Sequence, residues 1–263
     1  MHRRKFLSAS LAASAVVLSR DAAAQAPSAP GREYYLLRRY FLQSGPQNSL
    51  TEHYINEALV PALAKHAMGP VGAFRLDIGP ETPTYYVLIP SRSAEDLATL
   101  DFALAKDDTF MKAAEPFWSA PATAPAFVRT DSTLLSAFEG WPRITPPPHT
   151  AGAKRVYQLR TYESPSFRDH VRKVEMFNSG EFELFKAAGF DNVFFGDTLL
   201  GPRMPSLTYM LSFEDLAQLN THWATFSGNP DWKKLSNDPK YAFESIVSNI
   251  SNLILSPLAS SQI

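Results

Sequence analysis

One strand pattern is written twice in this chain, and it restricts the fold more than any other feature of the sequence. Residues 34–40 read YYLLRRY and residues 156–162 read VYQLRTY, with a Tyr, a Leu, an Arg and a closing Tyr at matching places. Self-similarity at a fixed spacing indicates a duplicated structural unit. A chain of 263 residues has room for two such units.

The segments that follow each copy of the strand continue the parallel. A first helix is expected to begin at a Ser, whose side chain accepts from exposed backbone N–H groups, and to end at a left-handed Gly. After two short apolar strands, a second helix is expected to begin at another Ser followed by acidic residues. The expected caps are Ser49, Gly69 and Ser93 in the first copy and Ser166, Gly189 and Ser212 in the second.

Each copy therefore reads strand, helix, strand, strand, helix, strand, which is the ferredoxin-like order. Composition separates the copies, because residues 141–154 are rich in proline and carry no periodic pattern. The predicted organisation is a signal peptide over 1–26, a first repeat over 32–140, a linker over 141–154 and a second repeat over 155–258.

A single unit of this kind covers one face of its sheet with helices and leaves the other face bare. In the repeated strand both alternating sets of residues are apolar, with Tyr157 and Leu159 on one side and Val156 on the other, as in sheets that are buried on both faces. Joining the two bare faces would close eight strands into a barrel with the helices outside. The predicted fold is thus α+β: two tandem ferredoxin-like repeats that form an intrachain pseudo-dimeric α/β barrel.

The first 26 residues differ from the rest of the chain. They have a basic head, an apolar stretch and a small-residue end, AAAQA, which is the layout of a secretory signal cleaved after Ala26. The adjacent Arg3 and Arg4, followed by KFL, favour the twin-arginine type used by bacteria. We expect a periplasmic or secreted protein; the alternative is an amphipathic first helix of the mature chain.

Charge and cysteine content exclude several functions. The chain has a net charge of −1, and removal of residues 1–26 takes away four basic groups and one acid, which leaves −4. A mildly acidic domain without a basic cluster is a poor binder of nucleic acid or anionic membrane. No later stretch is apolar for long enough to span a bilayer. The absence of cysteine excludes disulfides, thiolate nucleophiles and Cys-ligated zinc.

The second copy resembles the NIPSNAP family of dimeric α/β-barrel proteins. The resemblance rests on VYQLRTY, on the capped helix after it and on a late aromatic segment, Phe226 to Trp232. The first copy resembles the family more weakly, since Phe110 stands opposite Trp232. The resemblance implies the barrel fold but no assigned reaction; the wider superfamily includes cofactor-free monooxygenases and haem-handling enzymes.

Two histidines are the first candidates for a site. His53 and His170 follow the two expected helix caps at the same distance, and an ideal helical wheel places His170, Asn178 and Glu181 on the apolar arc of the second-copy helix. On the same wheel Lys173 lies on the solvent side, while His53 and Glu57 intrude on the apolar arc of the first copy. A His/Glu pair could orient a ligand or transfer protons. The alternative is a structural histidine near a helix N-terminus.

Two strand arginines are the second candidates. Arg38 and Arg160 each precede a Tyr, Tyr40 or Tyr162, on the same strand face. Either arginine could bind a ligand carboxylate with both ends of its guanidinium. The alternative is a bridge to an acid of its own helix, such as Asp169 or Glu175.

His222 and Trp223 complete the candidates. They lie in the second helix of copy two, opposite Ala103 and Leu104 if Ser93 and Ser212 are equivalent caps. Residues unique to one half would mark a pocket kept in that half alone; the alternative is ordinary packing.

These features favour an exported protein that binds a small apolar or aromatic ligand inside the barrel. The alternatives are a cofactor-free monooxygenase or haem-handling enzyme and a protein-interaction module. No metal or cofactor is predicted, because no two histidines of the mature chain have the spacing of a zinc site; haem held by one histidine is the alternative. The chain is expected to be a monomer that mimics a dimer, or an oligomer joined through its outer helices.

Overall fold

The computed structural model describes residues 31–148 and 154–263, so the predicted signal peptide and the middle of the predicted linker lie outside the described residues. The strands are β1 (Tyr34–Phe41), β2 (Gly72–Ile78), β3 (Thr84–Ser91), β4 (Arg129–Ala137), β5 (Val156–Glu163), β6 (Asp191–Leu200), β7 (Ser206–Phe213) and β8 (Asn249–Pro257). Within the described ranges, no helix is both long enough and apolar enough to pass through a bilayer.

Helices follow the strands in the order expected from the repeat. In the first half they are α1 (Pro46–His53), α2 (Val60–Lys65), α3 (Ala94–Ala98), α4 (Leu100–Leu104) and α5 (Asp108–Trp118). In the second half they are α6 (Phe167–Met176), α7 (Phe182–Ala187), α8 (Leu216–Gly228), α9 (Pro230–Ser236) and α10 (Phe243–Ile246). Two π-helical segments, Tyr54–Leu59 and Phe177–Glu181, join α1 to α2 and α6 to α7.

The eight strands close into one antiparallel barrel, in the order β1-β3-β2-β8-β5-β7-β6-β4. Each half supplies four neighbouring strands in the ferredoxin-like order, with β1 or β5 at the centre of its set. The halves meet where β2 pairs with β8 and where β4 pairs with β6. The predicted pseudo-dimeric α/β barrel is therefore confirmed.

Side chains fill the middle of the barrel. Along β1, Tyr35 and Leu37 point inwards, where they pack against Tyr157, Phe194 and other buried residues of the second half. The C-terminal tail contributes to this core, because Ile263 is buried in it and the backbone N–H of Gln262 donates to the carbonyl of Val71. At one end of the barrel the inward residues, among them Leu37, Leu159 and Thr208, leave a smaller cavity of about 170 Å³, so a ligand enclosed by the barrel stays a prediction.

Two of the predicted caps on the first helices are wrong. α1 begins at Pro46 rather than at Ser49, since proline has a backbone angle suited to the first helical turn. The left-handed residue after α2 is Ala67, with φ 54°, and not Gly69. In the second half both predictions are confirmed: the Ser166 hydroxyl accepts from the backbone N–H of Asp169, and Gly189 has φ 86°.

The second helices show how the halves correspond. Ser93 caps α3 as predicted, but Ser212 lies in β7 and Asp215 caps α8 by accepting from the N–H of Gln218 at 2.7 Å. The two caps are 215 − 93 = 122 residues apart, the same spacing as the starts of β1 and β5, 156 − 34 = 122. A spacing of 122 therefore relates the halves through their second helices, whereas the last strands, β4 and β8, are 249 − 129 = 120 residues apart. At this spacing Trp223 is equivalent to Asp101, and His170 is equivalent to Asn48 rather than to His53.

Candidate ligand site

The repeated Arg and Tyr lie outside the barrel, between the sheet and the helices. Arg38 contacts Asp101 of α4, and Tyr40 packs against Tyr54 with ring centroids 6.2 Å apart. In the second half Arg160 contacts Trp223 of α8 and Tyr162 packs against Phe243. Strand alternation explains this placement, because residues two apart share a face of the sheet. Each half therefore presents the same pair to its own helices.

In the first half this layer contains a cavity of about 410 Å³, which lies over β1 and β4 and beneath α4 and α5. This volume falls within the range of ordinary small-molecule sites. Its lining combines aromatic rings with a few polar groups: Arg38, Tyr40, Tyr54, Asp101, Phe117, Trp118, Phe127, Thr130, Asp131 and Ser132. The structure thus brings together two of the predicted site residues, Arg38 and Tyr40, at a concave surface.

Both terminal nitrogens of Arg38 donate to Asp101, over 2.8 Å and 3.0 Å to its two carboxylate oxygens. Burial alone would lower the pKa of the Arg38 guanidinium, but Tyr40 and Asp101 together raise it above its ordinary value. The arginine is therefore a permanent cation on the cavity wall.

The hydroxyl group of Tyr40 is buried and has no hydrogen-bond partner among the described residues. Burial raises the pKa of this phenol, while the Arg38 guanidinium opposes the rise. The group therefore remains a neutral donor at physiological pH. Buried polar groups in proteins nearly always have a partner, and the groups nearest to this hydroxyl are Arg38 and Tyr54, so it would gain from an acceptor atom that reached it through the cavity.

Aromatic rings form the apolar wall of the cavity. The rings of Tyr54 and Phe117 are stacked with centroids 4.0 Å apart and planes 4° from parallel. The indole N–H of Trp118 donates to the Tyr54 hydroxyl oxygen at 3.2 Å, which fixes both side chains. Burial raises the pKa of Tyr54 well above its ordinary value. This wall is flat, uncharged and suited to a planar ligand.

In the second half the same place is occupied by Trp223. Its ring lies 4.3 Å from the guanidinium carbon of Arg160, and its indole N–H donates to the Gln158 side-chain oxygen at 2.7 Å. The Tyr162 hydroxyl is satisfied as well, by the Tyr209 hydroxyl at 2.8 Å and by a donor nitrogen of Arg160 at 3.1 Å. An indole therefore stands where the first half has the carboxylate of Asp101 and open space.

Comparison with known proteins identifies the second half. Residues 157–262 match the family model described as NIPSNAP. This part of the chain is similar to the NIPSNAP family, and it is called the NIPSNAP domain below after the model that it matches. A search of curated proteins gives no match.

Several solved structures are similar to the chain. A candidate monooxygenase from Fusobacterium nucleatum has a TM-score of 0.57 and 10% identity, with 88% of this chain and 94% of that one covered. A second candidate monooxygenase, from Lactobacillus acidophilus, has a TM-score of 0.56 and 10% identity over 86% and 94% of the two chains. A NIPSNAP-like domain protein from Burkholderia xenovorans covers 41% of this chain and 90% of its own, at a TM-score of 0.38 and 15% identity. At such identities the likeness to the Fusobacterium and Lactobacillus proteins shows a shared fold alone.

The NIPSNAP domain holds a buried ion pair that the sequence analysis missed. Lys173 Nζ donates to a Glu181 carboxylate oxygen at 2.5 Å, and both side chains are shielded from solvent. Burial lowers the pKa of Lys173 and raises that of Glu181, and each partner opposes the shift of the other. The Lys173 ammonium also lies 4.2 Å from the Phe177 ring centroid. Glu181 is buried, as expected. The expectation that Lys173 faces solvent is wrong.

The wheel failed before the π-helical segment is reached. Phe167 and Val171, which defined the predicted buried arc, are exposed, and this is why Lys173 was placed outside. An ideal wheel also assumes 3.6 residues per turn, whereas a π-helical turn is wider and rotates the face that follows it. Asn178, which lies in that segment, was predicted on the buried arc and is exposed as well.

The histidines do not form the predicted pair. His53 and Glu57 are exposed, so their predicted places on a buried arc are wrong. His170 of the NIPSNAP domain is buried, and its Nε2 lies 2.6 Å from a carboxylate oxygen of Asp197, while Glu181 pairs with Lys173 instead. His222 packs against Phe190 and Phe213, with ring centroids 5.9 Å and 6.0 Å away.

The predicted bridge from Arg160 to an acid of its own helix is also wrong. Asp169 accepts from Arg172 at 3.1 Å, and Glu175 pairs with Lys240. Arg160 instead contacts Tyr162 and Trp223, and its Nε has no hydrogen-bond partner among the described residues. The structure thus brings Arg160, Tyr162 and Trp223 together, but in a filled layer.

Proposed function

We propose that this chain is an exported binding protein for a small planar aromatic ligand, held in the first-half cavity between the sheet and the helices. The observation that carries the proposal is the buried Tyr40 hydroxyl, which has no partner among the described residues and belongs to a cavity of about 410 Å³. Aromatic rings contact one side of the ligand and polar groups the other, and the hydroxyl orients the ligand by donating to an acceptor oxygen or nitrogen.

Binding is favoured over catalysis by the state of the lining carboxylates. Asp101 is held by Arg38, and Asp131 is held by Arg39 through two contacts of 2.5 Å and 2.6 Å. A general base needs a free lone pair within reach of the substrate proton. The residues that line the cavity include no histidine, and in the protein without ligand its two carboxylates are both paired with arginines.

Oxygenation of an aromatic substrate is the second candidate, because the Fusobacterium and Lactobacillus proteins of similar fold are described as candidate monooxygenases. In this chain Tyr40 would then orient the substrate for reaction with oxygen. Oxygen uptake with phenols as substrates separates the two functions. Binding of a phenol without oxygen consumption favours the binding function over oxygenation.

The test of the binding proposal uses the full chain with 2-naphthol, 2-naphthoate and 2-naphthamide as probes in isothermal titration calorimetry. We expect one site, and we expect Tyr40→Phe to weaken binding by about tenfold, since one hydrogen bond to a buried group is lost. Tyr162→Phe is the matched control at the equivalent place and should leave the affinity unchanged. If none of the three probes binds the wild-type chain, the proposed function is wrong.

Export is a separate part of the proposal and rests on residues 1–26, whose basic head and AAAQA end are typical of a twin-arginine signal. In a bacterial host the periplasmic form is expected to begin at Pro27. Replacing both Arg3 and Arg4 by Lys should retain the chain in the cytoplasm. N-terminal sequencing of the two fractions checks both expectations, and an uncleaved cytoplasmic chain would contradict them.

A further inference from the structure

The cavity wall contains an ion pair whose two partners differ in burial. The Arg38 side chain is 12% exposed, whereas that of Asp101 is 54% exposed. Arg38 is fixed on a central barrel strand, while Asp101 lies on a helix of five residues. Of the two groups, the carboxylate can return to water at little cost, but the guanidinium cannot be left alone in its buried place without a large penalty.

Asp101 contacts Arg38 in the same geometry by which an arginine binds a ligand carboxylate. Two parallel N–H···O bonds join the guanidinium to both oxygens of one carboxylate, and any planar carboxylate can reproduce this geometry. The third polar contact of Arg38 is long, with its Nε 3.4 Å from the Ser132 hydroxyl oxygen. Asp101 therefore occupies the position that a ligand carboxylate would take.

The unpartnered donor lies beside this position. Tyr40 is two residues after Arg38 on the same strand face, and both line the cavity together with the stacked pair Tyr54 and Phe117. A carboxylate on Arg38 would have Tyr40 as a further donor and the aromatic wall next to it. The cavity thus offers donors to a ligand's acceptor oxygen and an aromatic surface to a ligand's planar ring.

From this geometry we infer that the cavity selects aromatic carboxylates, and that Asp101 is an internal competitor which the ligand carboxylate displaces from Arg38. The inference rests on the proposed binding function and adds the charge of the ligand to it. Asp101 keeps the arginine paired in the empty protein, and it weakens binding of every anion by the free energy of that pair. Neutral aromatic molecules do not meet this competition and do not gain the arginine contact.

The test compares 2-naphthoate with 2-naphthamide, which have the same ring and differ in charge. In Asp101→Asn the competing charge is absent, and we expect the dissociation constant of 2-naphthoate to fall by about fivefold, as for a partly exposed ion pair. The dissociation constant of 2-naphthamide should stay within about twofold, which shows that the cavity is intact. Arg38→Met should remove the preference for the carboxylate and retain amide binding.

The outcomes separate this inference from the proposed function. If Asp101→Asn weakens 2-naphthoate binding, Asp101 positions the arginine and does not compete, and the inference is overturned. Equal affinity of the wild-type chain for acid and amide overturns it as well, while the binding function stands. If neither probe binds the wild-type chain, both fail together.

Discussion

The two halves of this barrel place the same pair, an Arg and a Tyr, under their helices and then use it differently. In the first half Arg38 faces the carboxylate of Asp101, the Tyr40 hydroxyl is unpartnered among the described residues, and a cavity lies next to them. In the NIPSNAP domain Arg160 faces the indole of Trp223, and the Tyr162 hydroxyl is bonded to Tyr209. Two of the differences at equivalent positions, Asp101 against Trp223 and Val87 against Tyr209, accompany the change from open to filled.

The two halves also differ in the residues that the first helical segment buries against the sheet. At the spacing of 122, Lys173 and Glu181 of the NIPSNAP domain are equivalent to Thr51 and Leu59 of the first half, and all four residues are buried. The NIPSNAP domain thus buries two charges at positions where the first half has a hydroxyl and an apolar side chain. Aromatic pairs pack in both halves, with Tyr54 stacked on Phe117 in the first and Phe195 stacked on Tyr209 in the second, so the buried ion pair is what distinguishes the second. On the proposed function, the first half binds the ligand and the second half supports the fold.

The largest expected effect comes from breaking the buried ion pair. Lys173→Met leaves the Glu181 carboxylate buried without its cation, and we expect a loss of about 3–5 kcal/mol in the free energy of unfolding. The double variant Lys173→Met/Glu181→Leu removes both charges and should recover most of that loss. Urea unfolding followed by circular dichroism measures both variants.

The exposed pair of Lys240 and Glu175 serves as the control for this prediction. Both side chains are about half exposed, so Lys240→Met should leave the free energy of unfolding nearly unchanged. A Lys173→Met variant as stable as Lys240→Met would mean that the ion pair does not hold the NIPSNAP domain together. A double variant no better than the single one would indicate that hydrogen bonding, not charge, is what matters there.

A smaller effect is expected when the first half is made to resemble the second. Asp101→Trp places an indole over Arg38, as Trp223 lies over Arg160, and should fill the cavity. We expect binding of 2-naphthoate and 2-naphthamide to weaken by about a hundredfold, since overpacking a filled site costs a few kcal/mol. Calorimetry gives the affinities, and unfolding in urea should show that the fold is retained.

Phe102→Trp is the matched control, because Phe102 is adjacent in α4 and exposed. It adds an indole to the same helix without reaching Arg38, and it should leave the affinity unchanged. If Asp101→Trp binds the probes as tightly as the wild-type chain does, the ligand binds elsewhere and the first-half cavity is not its site.

The fold could be predicted from the sequence because it depends on repeated strands, whereas the site depends on exact helix positions. The paired strands YYLLRRY and VYQLRTY and their bare sheet faces were sufficient to predict the closed barrel. The site required the equivalence of Asp101 and Trp223, and this was hidden by the prediction of Ser212 as a cap. The true cap, Asp215, is three residues later, so Trp223 was compared with Leu104 instead of Asp101.

The filling of the equivalent place in the second half also could not be read from composition. Both halves carry the Arg and the Tyr, and both have aromatic residues around them. Whether a phenol is satisfied depends on side chains from other elements, such as Tyr209 of β7, which meet it only in the folded chain. For the same reason the second half, with its unique His222 and Trp223, was the favoured location in the sequence analysis.

The smallest expected effect concerns the two phenols in the empty protein. Tyr162→Phe removes a hydroxyl that is bonded to Tyr209 and Arg160, and we expect it to lower the free energy of unfolding by about 1–2 kcal/mol. Tyr40→Phe removes a buried hydroxyl with no partner among the described residues, so it should be neutral or slightly stabilising. Urea unfolding without ligand measures both. If Tyr40→Phe destabilises the protein as much as Tyr162→Phe does, its hydroxyl is already satisfied, and the difference between an open and a filled half loses its main support.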